Sequence, residues 1–193
     1  NIKQLNHGFV AAILNDYFNI AVRNECFCAH PYVEKMLDFY SRISTMKTTA
    51  IRHSNIYGPY DKYDFERSHV CGATISKVLT SKKNVVVWGT GEEERDLLYI
   101  DDLVKGLMSL INSDYNHPIN LGNPSEFTML ELAELIKEKT NSSAEIIFKD
   151  LPIDDPKRRC PDIGKANKIL NWNPEISLDE GLNDTIVWFK SQI

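Results

Sequence analysis

Val85-Val86-Val87-Trp88-Gly89-Thr90-Gly91-Glu92-Glu93-Glu94-Arg95-Asp96-Leu97-Leu98-Tyr99-Ile100-Asp101-Asp102-Leu103 passes through three kinds of backbone in quick succession. The β-branched and aromatic run at its start reads as a strand, and Gly89 stops it. Leu97 to Ile100 reads as a second short extended piece. Asp101 reads as the N-cap of a helix running from Leu103 to Ile111, where Leu103, Leu107 and Leu110 share one face.

The same grammar extends outward on both sides. Downstream, Pro118 to Leu121 reads as a strand closed by Gly122. Thr128-Met129-Leu130-Glu131 and Ser177-Leu178-Asp179-Glu180 each fit a capping box, in which hydroxyl and carboxylate satisfy each other's orphan backbone donors. A helical pattern follows each box, Leu130 to Ile136 and Leu182 to Phe189, and Ala144 to Lys149 alternates like a strand between them. Ile163 to Leu170 reads as a short helix. Upstream, Val70 to Leu79 looks helical and Thr48 to Arg52 reads as a strand. Met36, Leu37, Phe39, Tyr40 and Ile43 recur at helical spacing, which places Met36, Phe39 and Tyr40 in a core. Strands alternating with helices of this length predict an α/β fold. The first thirty residues carry only weak periodicity, a helix at Phe9 to Tyr17 and a poor strand at Ile20 to Phe27.

The 193 residues suit one domain or a large part of a bigger one, and 42% hydrophobic with 25% charged residues suits a globular core. A net charge of -5 argues against nucleic acid or an anionic membrane as partner. The longest apolar runs are too short for a membrane span, and no signal-peptide pattern opens the chain, so the expected location is cytoplasmic. Cys26, Cys28, Cys71 and Cys160 suggest no disulfide framework. Cys26-x-Cys28-x-His30 lacks the second ligand pair of a closed zinc site, so no metal is expected.

Three clusters can carry chemistry. Ser54-Asn55-Ile56-Tyr57-Gly58-Pro59 lies where a strand gives way to a loop, the place where open α/β sheets bind ligands. The Asn55 amide offers a donor and an acceptor to a hydroxyl or phosphate. Arg95 follows three glutamates. A solvated ion pair is the reading composition favours, and a guanidinium fork aimed at a diphosphate is the sharper one. Asp154-Asp155-Pro156-Lys157-Arg158-Arg159-Cys160-Pro161-Asp162 is a basic run held between prolines, either a solvated surface or a second arginine source for the same anion.

Taken in order, Asn55 to Pro59, Trp88 to Leu103, Asn120 to Pro124, Phe127 to Glu134, Asp154 to Asp162 and Leu170 to Pro174 resemble the extended short-chain dehydrogenase/reductase family acting on nucleotide sugars. The likeness covers Pro31 to Phe189. The tail from Phe127 is most similar to UDP-glucuronate decarboxylases, whereas the loop Tyr57 to Val70 resembles epimerases and dehydratases of other sugars.

The resemblance implies the C-terminal part of a Rossmann-type doubly wound sheet plus a smaller substrate-binding lobe. Residues 31-193 would hold these, and 1-30 would be a degenerate or truncated remnant of the dinucleotide-binding half. It implies NAD as cofactor and a UDP-, GDP- or dTDP-sugar as substrate, epimerised, dehydrated or decarboxylated through a 4-keto intermediate. By the same resemblance Asn55, Arg95, Arg159 and, as second choice, Arg158 hold the sugar diphosphate. Val87 and Trp88 border the base, with a core role for Trp88 as the alternative. The backbone at Ser54 and Ile56 lies near the nicotinamide. The helix from Pro31 to Ile43 is a candidate homodimer contact.

Two departures stand against activity. No G-x-x-G-x-x-G opens the chain, and the family spacing puts Cys26 and His30 where the catalytic tyrosine and lysine belong. The catalytic residues are therefore unknown. The expectation is an incomplete chain inactive alone, with truncation, sequence damage and a non-catalytic nucleotide-sugar-binding or scaffolding pseudoenzyme all open.

Overall fold

The computed structural model describes residues 30–45, 47–62, 68–81, 83–150, 158 and 160–193. The expected helix and strand before Ala29, the Cys26 and Cys28 thiols and Arg159 lie outside the described residues. Two units are distinguished, one made of 1–52 with 114–119 and the other of 53–113 with 120–193.

In the first unit, helix α1 (His30–Ile43) precedes strand β1 (Ile51–His53), whose last residue belongs to the other unit and which begins later than the pattern from Thr48 suggested. The Arg52 guanidinium donates from Nε to Glu34 Oε1 at 2.9 Å, and the Thr48 hydroxyl donates to the Leu37 carbonyl at 3.1 Å. Lys47 pairs with Asp114, and the Ile119 N–H donates to the Ala50 carbonyl at 3.0 Å. The expected core role of Met36, Phe39 and Tyr40 is overturned, since they are 39%, 57% and 44% exposed. Helical spacing identifies a stripe, not what covers it.

The second unit holds β2 (Asn55–Tyr57), α2 (Val70–Thr80), β3 (Asn84–Trp88), β4 (Glu94–Tyr99), α3 (Ile100–Ile111), β5 (Ile119–Leu121), whose first residue belongs to the other unit, and β6 (Glu126–Thr128). It continues with α4 (Met129–Thr140), β7 (Glu145–Lys149), α5 (Gly164–Leu170) and α6 (Leu178–Lys190). One sheet runs β2-β4-β6, with β2 parallel and β6 antiparallel to β4. A second is the parallel pair β3-β7, with Val87 opposite Phe148. Parallel pairing of strands separated by helices is the α/β arrangement expected from the sequence.

The core forms where Ile75, Val85, Leu97, Leu132, Ile136 and Leu182 meet, all nearly inaccessible. Both capping boxes form. Thr128 and Ser177 accept from the N–H groups of Glu131 and Glu180, whose carboxylates accept in return. These bonds hold both glutamyl carboxyls below their usual range. Asp101 is not the cap of α3. Tyr99 holds that position, and Asp101 lies in the first turn, where its charge still complements the helix dipole.

Candidate anion-binding site along the edge of strand β4

β4 organises the candidate site because different partners use its two edges. β6 covers one edge, with Glu94 opposite Thr128 and Asp96 opposite Glu126. β2 pairs along the other, starting with Asn55 opposite Leu97. Arg158 forms a parallel bridge to Glu94. Since β6 already takes one side of Glu94, Arg158 must sit on the β2 side. Asn55 and Arg158 therefore flank the same edge three residues apart, about 10 Å along a strand.

Arg95 lies between them. At 6% exposure it is no solvated surface residue, which removes the reading that composition favoured. Its Nη1 donates to the Glu94 carbonyl at 2.8 Å. The Asn55 amide donates to the Asp96 carbonyl at 3.3 Å, turning its side chain toward the same stretch of edge. Three polar side chains distant in sequence are thus gathered around Glu94 to Leu97.

Side chains alternate along a strand, so Glu94 and Asp96 share one face of β4 and Arg95 takes the other. Arg158 reaches over the first face. Its Nε lies 3.1 Å from Glu94 Oε2 and donates to Glu126 Oε1 at 2.8 Å, while Nη2 meets Glu126 Oε2. Arg158 holds the Glu126 carboxyl well below the usual carboxylate range. Sequence reasoning missed Glu126. It stands in no charge run, and only strand pairing brings it to Arg158.

The three glutamates before Arg95 have separate roles. Glu92 is exposed, Glu94 meets Arg158, and Glu93 is buried beneath its own loop. Glu93 accepts the Thr90 N–H at 3.1 Å and the Gly91 N–H at 3.0 Å, with the Thr90 hydroxyl at 3.3 Å. Burial pushes its carboxyl up, but these donors outweigh burial and leave it below the ordinary value. Gly89 and Gly91 turn at φ of 85° and 87°, a region that admits glycine without strain. The two glycines after β3 shape a carboxylate-held turn that delivers Arg95 onto β4.

Asp102 fixes the far end of this segment. Fully buried, its Oδ2 accepts the N–H groups of Glu175 and Ile176 at 2.9 and 2.8 Å. Its carbonyl accepts the Trp172 indole N–H at 2.9 Å. The motifs at Asp101-Asp102 and Asn171-Trp172-Asn173-Pro174 are therefore two halves of one packing joint.

The remaining expected residues stand differently. Val87 is buried in the core cluster. Trp88 is 49% exposed with Lys149 Nζ 5.9 Å from its ring centroid, so its alternative core role is ruled out. The Ser54 N–H donates to the Leu121 carbonyl at 3.1 Å, while the Ser54 hydroxyl is buried without a partner. Ile56 lies within β2, half-buried. Among the described residues, no His, Cys, Asp or Glu group is placed to hold a metal ion, and no helix is long and apolar enough to cross a membrane.

Known proteins resemble the chain that carries this geometry. Residues 12–122, more than half of the chain, match the profile of the NAD dependent epimerase/dehydratase family. UDP-glucuronic acid decarboxylase 1 of Arabidopsis thaliana is 44% identical over 156 residues, covering 80% of this chain and 35% of that protein. UDP-glucuronic acid decarboxylase 5 of the same plant is 39% identical over 164 residues, covering 84% of the chain and 47% of its relative. The crystal structure of UDP-glucose 4-epimerase with UDP-glucose from Thermotoga maritima superposes with a TM-score of 0.79 at 30% identity, over 86% of this chain and 53% of that one. The chain thus spans about half the length, or less, of the relatives it matches. The fold is that of the Rossmann-type epimerases, and the chain belongs to the NAD dependent epimerase/dehydratase family.

Proposed function

We propose that this chain supplies the nucleotide-sugar grip of an NAD-dependent enzyme that epimerises, dehydrates or decarboxylates its substrate through a 4-keto intermediate. The observation that supports it best is the gathering of Asn55, Arg95 and Arg158 around one edge of β4. Guanidinium groups match the oxygens of a diphosphate bidentately, and the Asn55 amide adds a neutral polar contact to phosphate or sugar. Arg159, next in sequence, is the other candidate arm. A UDP-sugar is the first choice, because the relatives above are named for UDP-glucuronic acid and UDP-glucose.

The described residues do not by themselves fit a whole NAD site. The Ser54 N–H is already taken by Leu121, and no glycine-rich phosphate turn of the family type occurs in the sequence. Among the described residues, the Ser54 hydroxyl is buried without a partner and is the group we place nearest the cofactor side. Hydride chemistry therefore belongs to the full protein, with this chain inactive alone. A second reading, a nucleotide-sugar-binding protein without catalysis, is favoured by Cys26 and His30 standing at the family spacing of the tyrosine and lysine. The exposed stripe of α1 suits self-association as a homodimer.

Calorimetric titration with UDP-glucose and a GDP-sugar tests the grip. Binding of the UDP-sugar that Arg95→Ala weakens tenfold or more, about 1.4 kcal/mol, is the expected result. A folded protein that binds neither sugar overturns both readings. Turnover of UDP-glucuronate by the 193 residues with added NAD contradicts inactivity of the chain alone.

A further inference from the structure

Arg158 is placed for the diphosphate by its backbone but not by its side chain. Its bridge to Glu94 puts it on the β2 edge, beside Arg95 and Asn55. Its guanidinium instead crosses the Glu94 face of β4 and forks onto Glu126 of the far strand β6. Arg95 projects from the opposite face. Two guanidinium groups so divided cannot close on one pyrophosphate while the fork stands.

We infer that Glu126, assisted by Glu94, is an internal competitor for the anion: it parks Arg158 across β4, and a nucleoside diphosphate must displace its carboxylate to recruit that arm. This inference rests on the nucleotide-sugar reading and adds a residue that sets affinity at the same site. The parking contact copies the ligand, since a carboxylate and a phosphate present paired oxygens to the same Nε and Nη2 edge. Exchange proceeds from the solvent side, because the Arg158 side chain is 66% exposed against 14% for Glu126, and a pair open to water on one side holds more weakly than a buried one. Displacement leaves Glu126 and Glu94 as unpaired carboxylates near a polyanion, which opposes binding further. Glu126 acts through Arg158 and touches no substrate, so it is a positioning residue.

The test titrates UDP into the wild-type chain, Glu126→Gln, Arg158→Ala, the double variant and Arg95→Ala. Glutamine keeps the shape of residue 126 and removes its charge. Glu126→Gln is expected to bind UDP about two- to fivefold tighter, the range set by an ion pair open to solvent on its arginine side. That gain should vanish when Arg158→Ala is compared with the double variant. Loss of a merely structural contact would lower affinity, so a gain that depends on Arg158 separates the two. UDP binding that Glu126→Gln leaves unchanged or weakens overturns the inference, as does a gain that survives without Arg158. Wild type and Arg95→Ala both failing to bind UDP would instead remove the nucleotide-sugar reading, and the inference with it.

Discussion

The Glu93 carboxylate sits inside the turn it belongs to, 3.0 Å from the Gly91 N–H and in contact range of any side chain added at Gly89. An anion is thus bound by backbone donors within the chain itself, and the bound group is a structural glutamate. Replacing Glu93 with alanine strands the buried Gly91 donor and removes the acceptor of the part-buried Thr90 N–H. The expected loss is about 1–3 kcal/mol, read as a lower urea midpoint.

Glu93 also gives a pH signature. Its folded carboxyl lies below the ordinary value, so its stabilisation is complete above the unfolded value of about 4.3 and fades as pH falls through the folded one. The stability gap between wild type and Glu93→Gln should therefore be constant near neutrality and narrow below about pH 4.3. A gap that widens on acidification would show that burial, not the hydrogen bonds, controls this carboxyl.

Asp102 is expected to be the more sensitive acid. Removing its side chain orphans the Glu175 and Ile176 N–H groups and unties the segment before α6 from α3. Asp102→Ala should cost about 2–4 kcal/mol, with Asp102→Asn milder because one amide oxygen can still accept. Thermal unfolding followed by circular dichroism checks the order, and an alanine variant as stable as wild type would refute the joint between the Asp102 carboxylate and the Glu175 and Ile176 N–H groups.

How far the sequence reveals this arrangement depends on the range of the interaction. Both capping boxes were legible because Thr128 with Glu131, and Ser177 with Glu180, complete their bonds within one turn. β6 was not, since three residues are too short a run to read as a strand and become one only by lying against β4. The glutamates at 92, 93 and 94 look alike in sequence and differ only in where the turn at Gly89 and Gly91 leaves each. Arg95 was singled out by its motif, but its burial came from the sheet. Asp101 offered a cap by residue type, yet extended backbone at Tyr99 places the cap two residues earlier.

Gly181 brings α6 against Tyr57 of β2 and Tyr99 of β4. A methyl group there would collide with the Tyr57 hydroxyl and lie 2.6 Å from Tyr99 Cδ2. Gly181→Ala should destabilise by about 1–3 kcal/mol despite its better helix propensity. Tyr57→Phe removes the colliding oxygen and gives up only a long 3.5 Å bond to the Ser177 carbonyl. The double variant should recover part of the loss, and strict additivity of the two changes would mean that the collision is not with Tyr57.

The stripe on α1 leads to the last expectation. Met36, Phe39, Tyr40 and Ile43 fall at i, i+3, i+4 and i+7, and all four are exposed, Ile43 most at 61%. Large apolar side chains aligned on one helix face tend to be covered by a partner, and a second copy of the same helix presents a matching stripe. Phe39, packed edge-on against Tyr40, stands near the middle of that stripe. Sedimentation of the wild-type chain should therefore show a concentration-dependent dimer that Phe39→Glu abolishes, because a carboxylate buried without a partner is strongly disfavoured. UDP binding should survive the substitution, since Phe39 is none of the residues gathered at the β4 edge. A wild-type chain that sediments as a monomer at all concentrations would assign this stripe to another partner.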